Sequence, residues 1–224
     1  MNTRLANVIS LISMVLLGVY VAWIYPDLPD PMPTHWDAAG QVDDQTAKAI
    51  GAPLVAAIPM FIFIVFKLIP VLSPRGFRTE SFTNVLNILM TASVVFGCAI
   101  GIGVMRAARD SSGDITTLVL VAVGFLLIIM GNFLGKVRKN FFLGIRTPWT
   151  LASDEVWAKT HRLGGWCFVI AGIVMVIMGA AMPGAGMPWV ITVVVAIAVI
   201  PVVYSYIAYR KIEGFAPDSE VGEE

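Results

Sequence analysis

The chain has 224 residues, 58% of them hydrophobic and 13% charged, with a mean hydropathy of +0.82 and a formal net charge of zero. A soluble domain carries about 25% charged residues, so this composition excludes an ordinary water-facing globule, and the zero balance argues against nucleic acid as a direct partner. Cys98 and Cys167 lie in apolar runs without metal-ligand spacing, which reads as structural thiols and not as a redox or metal centre.

A membrane-spanning helix takes about 20 mostly apolar residues. Six stretches meet that need: Leu5–Tyr25, Gly51–Leu72, Phe82–Met105, Ile115–Gly135, Leu163–Met182 and Met187–Tyr209. The first is read as a retained anchor and not as a signal peptide, because no small-residue cleavage site follows it. After it comes "YPDLPDPMPTHWDAAGQVDD", whose four prolines favour extended, polyproline-like backbone before "DAAGQ" turns the chain. Its aspartates, with His35 and Trp36, read either as a plain solvated acidic loop or as a surface for an apolar, cationic peptide. A divalent ion on His35 and Asp37 has no second histidine or ligand repeat to support it, so no metal is assigned.

Pro53, Pro59 and Pro70 are expected to bend the second span, since each removes a backbone donor. Lys67 is the one charged residue well inside a span, and it sits near an end where its stem can snorkel. In the third and fourth spans, Gly97 with Gly101 and Gly131 with Gly135 have the small-xxx-small spacing of helix-packing seams. No Asp or Glu lies inside any of the six spans, which argues against a proton-coupled transporter. A facilitator needs no carboxylate; in that alternative, or in a lipid-handling protein, Asn84, Asn87 and Asn132 line a path and Arg146 holds a headgroup.

The connection from Lys136 to Arg162 is the most basic part of the chain. Pro148 stops a helix before it, and Ser153 then reads as an N-cap, with Asp154 and Glu155 in the first turn and Lys159 and Arg162 in the last. These signals predict a short interfacial helix, Trp157 side down, between the fourth and fifth spans. His161 shares a face with Trp157, and Asp154 is close enough in sequence for an acid–base pair to be conceived. There is no nucleophile elbow, no HExxH and no phosphate-cradling glycine loop, so the chain reads as a non-enzyme without a cofactor.

Alternate connections sort the cations decisively. Twelve fall on one side (Arg4, Lys67, Arg75, Arg78, Lys136, Arg138, Lys139, Arg146, Lys159, Arg162, Arg210 and Lys211) and three on the other (Lys48, Arg106 and Arg109). Positive residues stay inside, which predicts an all-α integral membrane protein of the cytoplasmic (inner) membrane with both termini cytoplasmic. The expected organisation is a two-span region with its outer loop over 1–75, a four-span region over 76–212, and an acidic, disordered tail over 213–224.

The segment "GNFLGKVRKNFFLGIRTPWTLASDEVWAKTHRLGGW", Gly131 to Trp166, resembles the signature of the SdpI family of bacterial immunity proteins. It departs from that pattern at Lys136, where a proline is expected nearby. "LPDPMPTHWDAAGQVDD" resembles the N-terminal domain of unknown function that often precedes it. The resemblance implies a six-span protein that protects its producer from a secreted, membrane-active peptide toxin. It also implies, in the best-known case, signalling by capture of a small cytosolic repressor at the inner face. It points to an inner platform of Asn132, Asn140, Arg146, Thr147, Pro148, Trp149, Thr150, Trp157, His161 and Arg162, which meets the repressor or anionic lipid. The outer counterpart, meeting toxin, is Pro33, His35, Trp36, Asp37 and Gly40.

Overall fold

The computed structural model describes residues 1–37, 40–75, 79–110, 115–181 and 187–214; the greater part of the acidic tail lies outside them. Seven helices and one hairpin follow in order: α1 (Thr3–Ile24), β1 (Met32–Trp36), β2 (Val42–Thr46), α2 (Lys48–Leu72), α3 (Thr83–Asp110), α4 (Ile115–Leu134), α5 (Pro148–Ala152), α6 (Asp154–Ala181) and α7 (Met187–Ile212). All but α5 are long and apolar enough to cross a bilayer. Their outer faces are greasy: Val71 is 78% exposed, Phe61 68% and Trp23 66%. Water would penalise such a surface, whereas lipid does not, so the chain is an all-α, multi-pass membrane protein.

Local chemistry sets the helix starts. Asn2 caps α1 by accepting from the Leu5 amide at 2.8 Å. The α2 start has no such cap of its own; Asp30 supplies it from a distance, accepting from the Lys48 amide at 3.1 Å. Helix α2 keeps Pro53, Pro59 and Pro70 inside it, and Gly97 of α3 makes room for one of them. A Cβ at Gly97 would stand 3.4 Å from the Pro59 ring.

The buried side chains form three clusters. One joins α1, α2 and α3 through Leu17, Val21, Ala52, Val94, Cys98 and Met105, and it also takes in Met32 of the hairpin. A second joins α4, α6 and α7 around Leu120, Leu127, Ala171 and Met175. The third, with Ile69, Phe82, Leu86, Leu89, Val137 and Trp157, crosses between these groups at the end of the bundle opposite the hairpin. The N-terminus lies at that same end, where Asn87 donates to the Met1 carbonyl at 3.3 Å and to Thr3 Oγ1 at 3.1 Å. Ser205, near the end of α7, meets Thr147 there at 3.0 Å. Six spans thus return the chain to the side on which it began.

The closest helix pair is α4 with α6, and its register is antiparallel. A Cβ at Gly131 would come within 2.6 Å of the Gly165 carbonyl oxygen, and one at Gly172 within 2.4 Å of the Gly124 carbonyl oxygen. Gly124 and Gly131 on one helix, and Gly165, Gly172 and Gly179 on the other, recur every seven residues. That period keeps a small residue on the shared seam and lets the two backbones touch. The expected seam residues Gly97, Gly101, Gly131 and Gly135 do face neighbouring helices, but the heptad ladder between α4 and α6 is the tighter contact.

Two local expectations need correction. The stretch after α1 is not simply extended: β1 and β2 pair antiparallel, Met32 with Thr46 and Trp36 with Val42, with irregular register between. Around the turn, the Asp37 amide donates to the Gln41 carbonyl at 2.8 Å, while Ala38 and Ala39 lie outside the described residues. The second correction concerns the Ser153 cap. The helix that follows it is not a separate interfacial piece but the first turns of the fifth span, running unbroken from Asp154 to Ala181. The short helix of this connection is α5, one turn earlier, with Pro148 at its first position and Thr147 as its cap.

Candidate functional site

The basic connection is folded around buried polar side chains. Asn140 is completely buried and uses its whole amide: Oδ1 accepts from the Phe142 and Leu143 amides at 2.8 and 2.7 Å, and Nδ2 donates to the Arg138 and Leu143 carbonyls at 2.9 Å. Thr147 and Thr150 form a reciprocal cap, each hydroxyl accepting from the other's backbone amide, at 3.2 and 2.9 Å. Trp149 then packs edge-on against Tyr206 of α7, ring centres 5.1 Å apart.

His161 is the pin of this arrangement. Its Nε2 accepts from the Ile145 amide at 2.9 Å, which fixes the neutral ring with the proton on Nδ1. That proton is donated to the Trp157 carbonyl at 2.8 Å. The ring stacks on the Trp157 indole at 4.0 Å, and the indole donates to the Val137 carbonyl at 2.8 Å. Gly144 completes the fit: its φ is +111°, and a Cβ there would sit 2.2 Å from His161 Nε2. The side chain of Arg146 turns back onto the Phe141 carbonyl while remaining exposed.

Of the two acids in the connection, Asp154 pairs with Lys139 at 2.6 Å and Glu155 with Lys159 at 2.7 Å. The acid–base pair conceived from sequence is therefore not assembled: Asp154 is a surface ion pair and His161 is sealed inside. Asn84, Asn87 and Asn132 do not share a path either. Asn87 is buried against the N-terminal segment, whereas Asn84 and Asn132 are exposed on the outside of the bundle.

At the other end, the hairpin stands on the α1–α3 core through Met32. Gly51 of α2 admits it, since a Cβ there would be 2.9 Å from Met32 Sδ. Lys48 braces the approach, donating to the Leu28 carbonyl at 3.1 Å and lying over the Tyr25 ring. Its exposed part carries the paired Trp36 and Val42 beside His35, Asp43 and Asp44. His35 Nδ1 lies 2.6 Å from Asp43 Oδ1. That bond, the Asp43 charge and the weaker fields of Asp44 and Asp37 raise the His35 pKa above its ordinary value. Gly40, at φ +77°, brings the hairpin tip over the first turn of α4, where a Cβ would be 3.0 Å from Thr116 Oγ1.

Residues 136–205 match the model of the SdpI/YfhL protein family, and residues 12–60 match a domain of unknown function (DUF1648). The chain is also 24% identical over 213 residues to the immunity protein SdpI of Bacillus subtilis (strain 168), an alignment covering 93% of this chain and 98% of that protein. The chain thus resembles the SdpI family. No solved structure matches it.

In this SdpI-like chain the residues singled out from sequence divide by role. Asn140, Thr147, Thr150, Trp157 and His161 are buried and occupied within the loop, while Arg146, Pro148, Arg162 and Asn132 are exposed and Trp149 is half-buried. On the hairpin, Pro33 is buried, His35 exposed, and Trp36, Asp37 and Gly40 intermediate. The partners that complete the inner lock, Val137, Gly144, Ile145 and Ser205, were not found by pattern. Gly144 carried the one usable sign, a glycine directly preceding the Ile-Arg-Thr-Pro run.

Proposed function

We propose that the chain is an immunity protein of the cytoplasmic membrane, protecting its cell from a secreted, membrane-active peptide met at the hairpin end. The observation that carries this reading is the similarity, over nearly the whole of both chains, to a protein whose name states immunity. The charge count orients it, with the basic connection in the cytosol and the hairpin outside. Trp36 and Val42 beside Asp43 and Asp44 offer an apolar, anionic surface suited to a cationic amphipathic peptide.

The same reading gives the inner loop a reporting task. The hairpin tip leans on α4, α4 packs backbone to backbone on α6, and α6 begins at the loop that His161 pins. Peptide seated on the hairpin shifts this contiguous stack, and the exposed Arg146 and Pro148 and the half-buried Trp149 change their availability to a cytosolic repressor. Expression in peptide-sensitive cells tests the first step. Wild-type chain is expected to confer survival, and Trp36→Ala with Asp43→Asn to lose it while the protein remains in the membrane at equal level. Wild-type survival no better than an empty vector sinks the proposal. The Arg146→Ala, Trp149→Ala variant is expected to keep protection and lose repressor recruitment to membranes.

A further inference from the structure

The inner ends of α4 and α6 carry a feature that immunity does not use. A cavity of about 320 Å³ opens outward between them, floored by Gly131, Gly135, Gly165 and Val169. Its walls are Asn132 from α4, Lys136 from the turn directly after α4, and Arg162 and Trp166 from α6. All four wall residues are exposed on the outside of the bundle, Trp166 by 65%. The glycines that let the helices touch also leave the groove free of side chains, so the polar groups stand around an open space.

Charge and position decide what fits there. Lys139 and Lys159 already engage Asp154 and Glu155, so the acids of the connection are spent elsewhere. Among the described residues, Arg162 has no carboxylate partner, and Lys136 is held over the Phe133 ring at 4.9 Å. Glu80 lines an adjoining cavity with Lys136 and Arg138, one that Arg162 and Trp166 do not line. Two cations, a carboxamide and an indole therefore meet at the water–lipid boundary with no anion of their own between them.

Below this group each helix continues as an exposed apolar stripe. From Lys136, just past the end of α4, the line through Asn132 continues down that helix to Ile129 and Phe125; on α6 the line through Arg162 and Trp166 continues to Ile170, Ile173 and Ile177. Phe125 is 55% exposed and Ile170 59%. A basic head above a greasy bed is the outline of an anionic phospholipid, phosphate upward and acyl chain along the helices.

We infer that the groove framed by Asn132, Lys136, Arg162 and Trp166 is a binding site for one anionic phospholipid of the inner leaflet. The guanidinium takes the phosphate oxygens in paired hydrogen bonds, the ammonium adds charge, and Trp166 anchors the glycerol level. The site stands apart from the hairpin and from the exposed Arg146 surface, so it does not depend on the immunity reading.

The test uses the full-length chain released from nanodiscs containing equal phosphatidylglycerol and phosphatidylcholine, followed by native mass spectrometry. Phosphatidylglycerol is expected to remain bound in preference, and Lys136→Gln with Arg162→Gln to weaken its retention by at least about tenfold. Arg210→Gln with Lys211→Gln removes the same charge at the same end but outside the groove, and is expected to leave retention unchanged. Equal retention of the two lipids by wild-type protein overturns the inference, however the variants fold. Equal loss in both double variants does so too, since it means diffuse attraction. Displacement of the lipid by millimolar inorganic phosphate also refutes it, because the site then holds a free anion.

Discussion

Gly144 and His161 show how tightly single atoms hold the basic loop. Alanine at Gly144 faces two penalties: a left-handed backbone, costing about 1–3 kcal/mol for a strained non-glycine residue, and a Cβ driven into the His161 ring. His161→Ala removes the acceptor of a partly buried amide, costing up to about 1–3 kcal/mol for the unsatisfied group. The two losses overlap, because without the ring the Cβ has space. Thermal unfolding in detergent is therefore expected to show the double variant less destabilised than the sum of the singles. Strict additivity would mean that the ring and the glycine do not share one fit. His35 offers a second single-residue check, outside the membrane. Its pKa is raised, so the Asp43 contact contributes stability fully below the unfolded value near 6.5 and loses it as pH rises through the folded value. An NMR titration of the His35 ring should give a midpoint above the ordinary value, falling in Asp43→Asn; an unchanged midpoint in that variant removes Asp43 as the cause. His35 and His161 were both visible in the sequence as polar oddities. Their partners, eight residues away in one case and sixteen in the other, depend on loop geometry that no short pattern encodes.

For whole elements, hydropathy and length were enough to reveal all six spans, because a bilayer demands the same simple composition of each. The ends were harder. Ser153 was legible as a helix start, yet nothing local says that the polar first turns of α6 continue into the span; burial of Trp157 and His161 against α2, α3 and the loop decides it. The hairpin was masked by its prolines, which fit here because β1 is a short edge strand with irregular register. The α4–α6 seam was legible in principle from glycines at seven-residue spacing, and it supports a sharp prediction. Alanine normally improves a helix over glycine by about 1 kcal/mol. At Gly18 of α1 nothing lies within 4 Å of the added Cβ, so Gly18→Ala should be neutral or slightly stabilising. At Gly172 the Cβ meets the Gly124 carbonyl oxygen at 2.4 Å, and a backbone atom cannot swing aside. Overpacking of about 1–3 kcal/mol then outweighs the propensity gain, and Gly172→Ala should lower the melting temperature. Equal shifts for the two variants would mean that the helices do not touch there.

At the scale of the molecule, the bundle is two three-span groups, α1–α3 with the hairpin and α4, α6 and α7, each with a buried cluster of its own. The two matched family regions fall one in each group, residues 12–60 and 136–205. Between α3 and α4 along the spans lies an apolar cavity of about 590 Å³ lined by Phe96, Leu118, Phe125 and others, so the groups are not closely packed there. Besides the direct α3–α4 contact, where Leu118 fills the space beside Gly103, they are joined by the cluster at the basic end, in which Trp157 of α6 packs with Ile69, Phe82, Leu86 and Leu89. Trp157 also donates to Val137 and stacks under His161, so one side chain serves both the joint and the loop lock. Replacing a buried Trp by Ala costs about 3–5 kcal/mol, and here the loss falls largely on the contact between the groups. Coexpressing residues 1–112 and 113–224 as separate chains isolates that contact from chain connectivity. The wild-type pieces are expected to copurify in mild detergent, and Trp157→Ala to abolish copurification while both pieces remain in the membrane. Trp157→Phe keeps most of the apolar area and loses the hydrogen bond to Val137, so it should retain an intermediate yield. Full copurification with Trp157→Ala would move the joint to the α3–α4 surface and the Gly40–Thr116 approach, making the hairpin the clasp between the two groups.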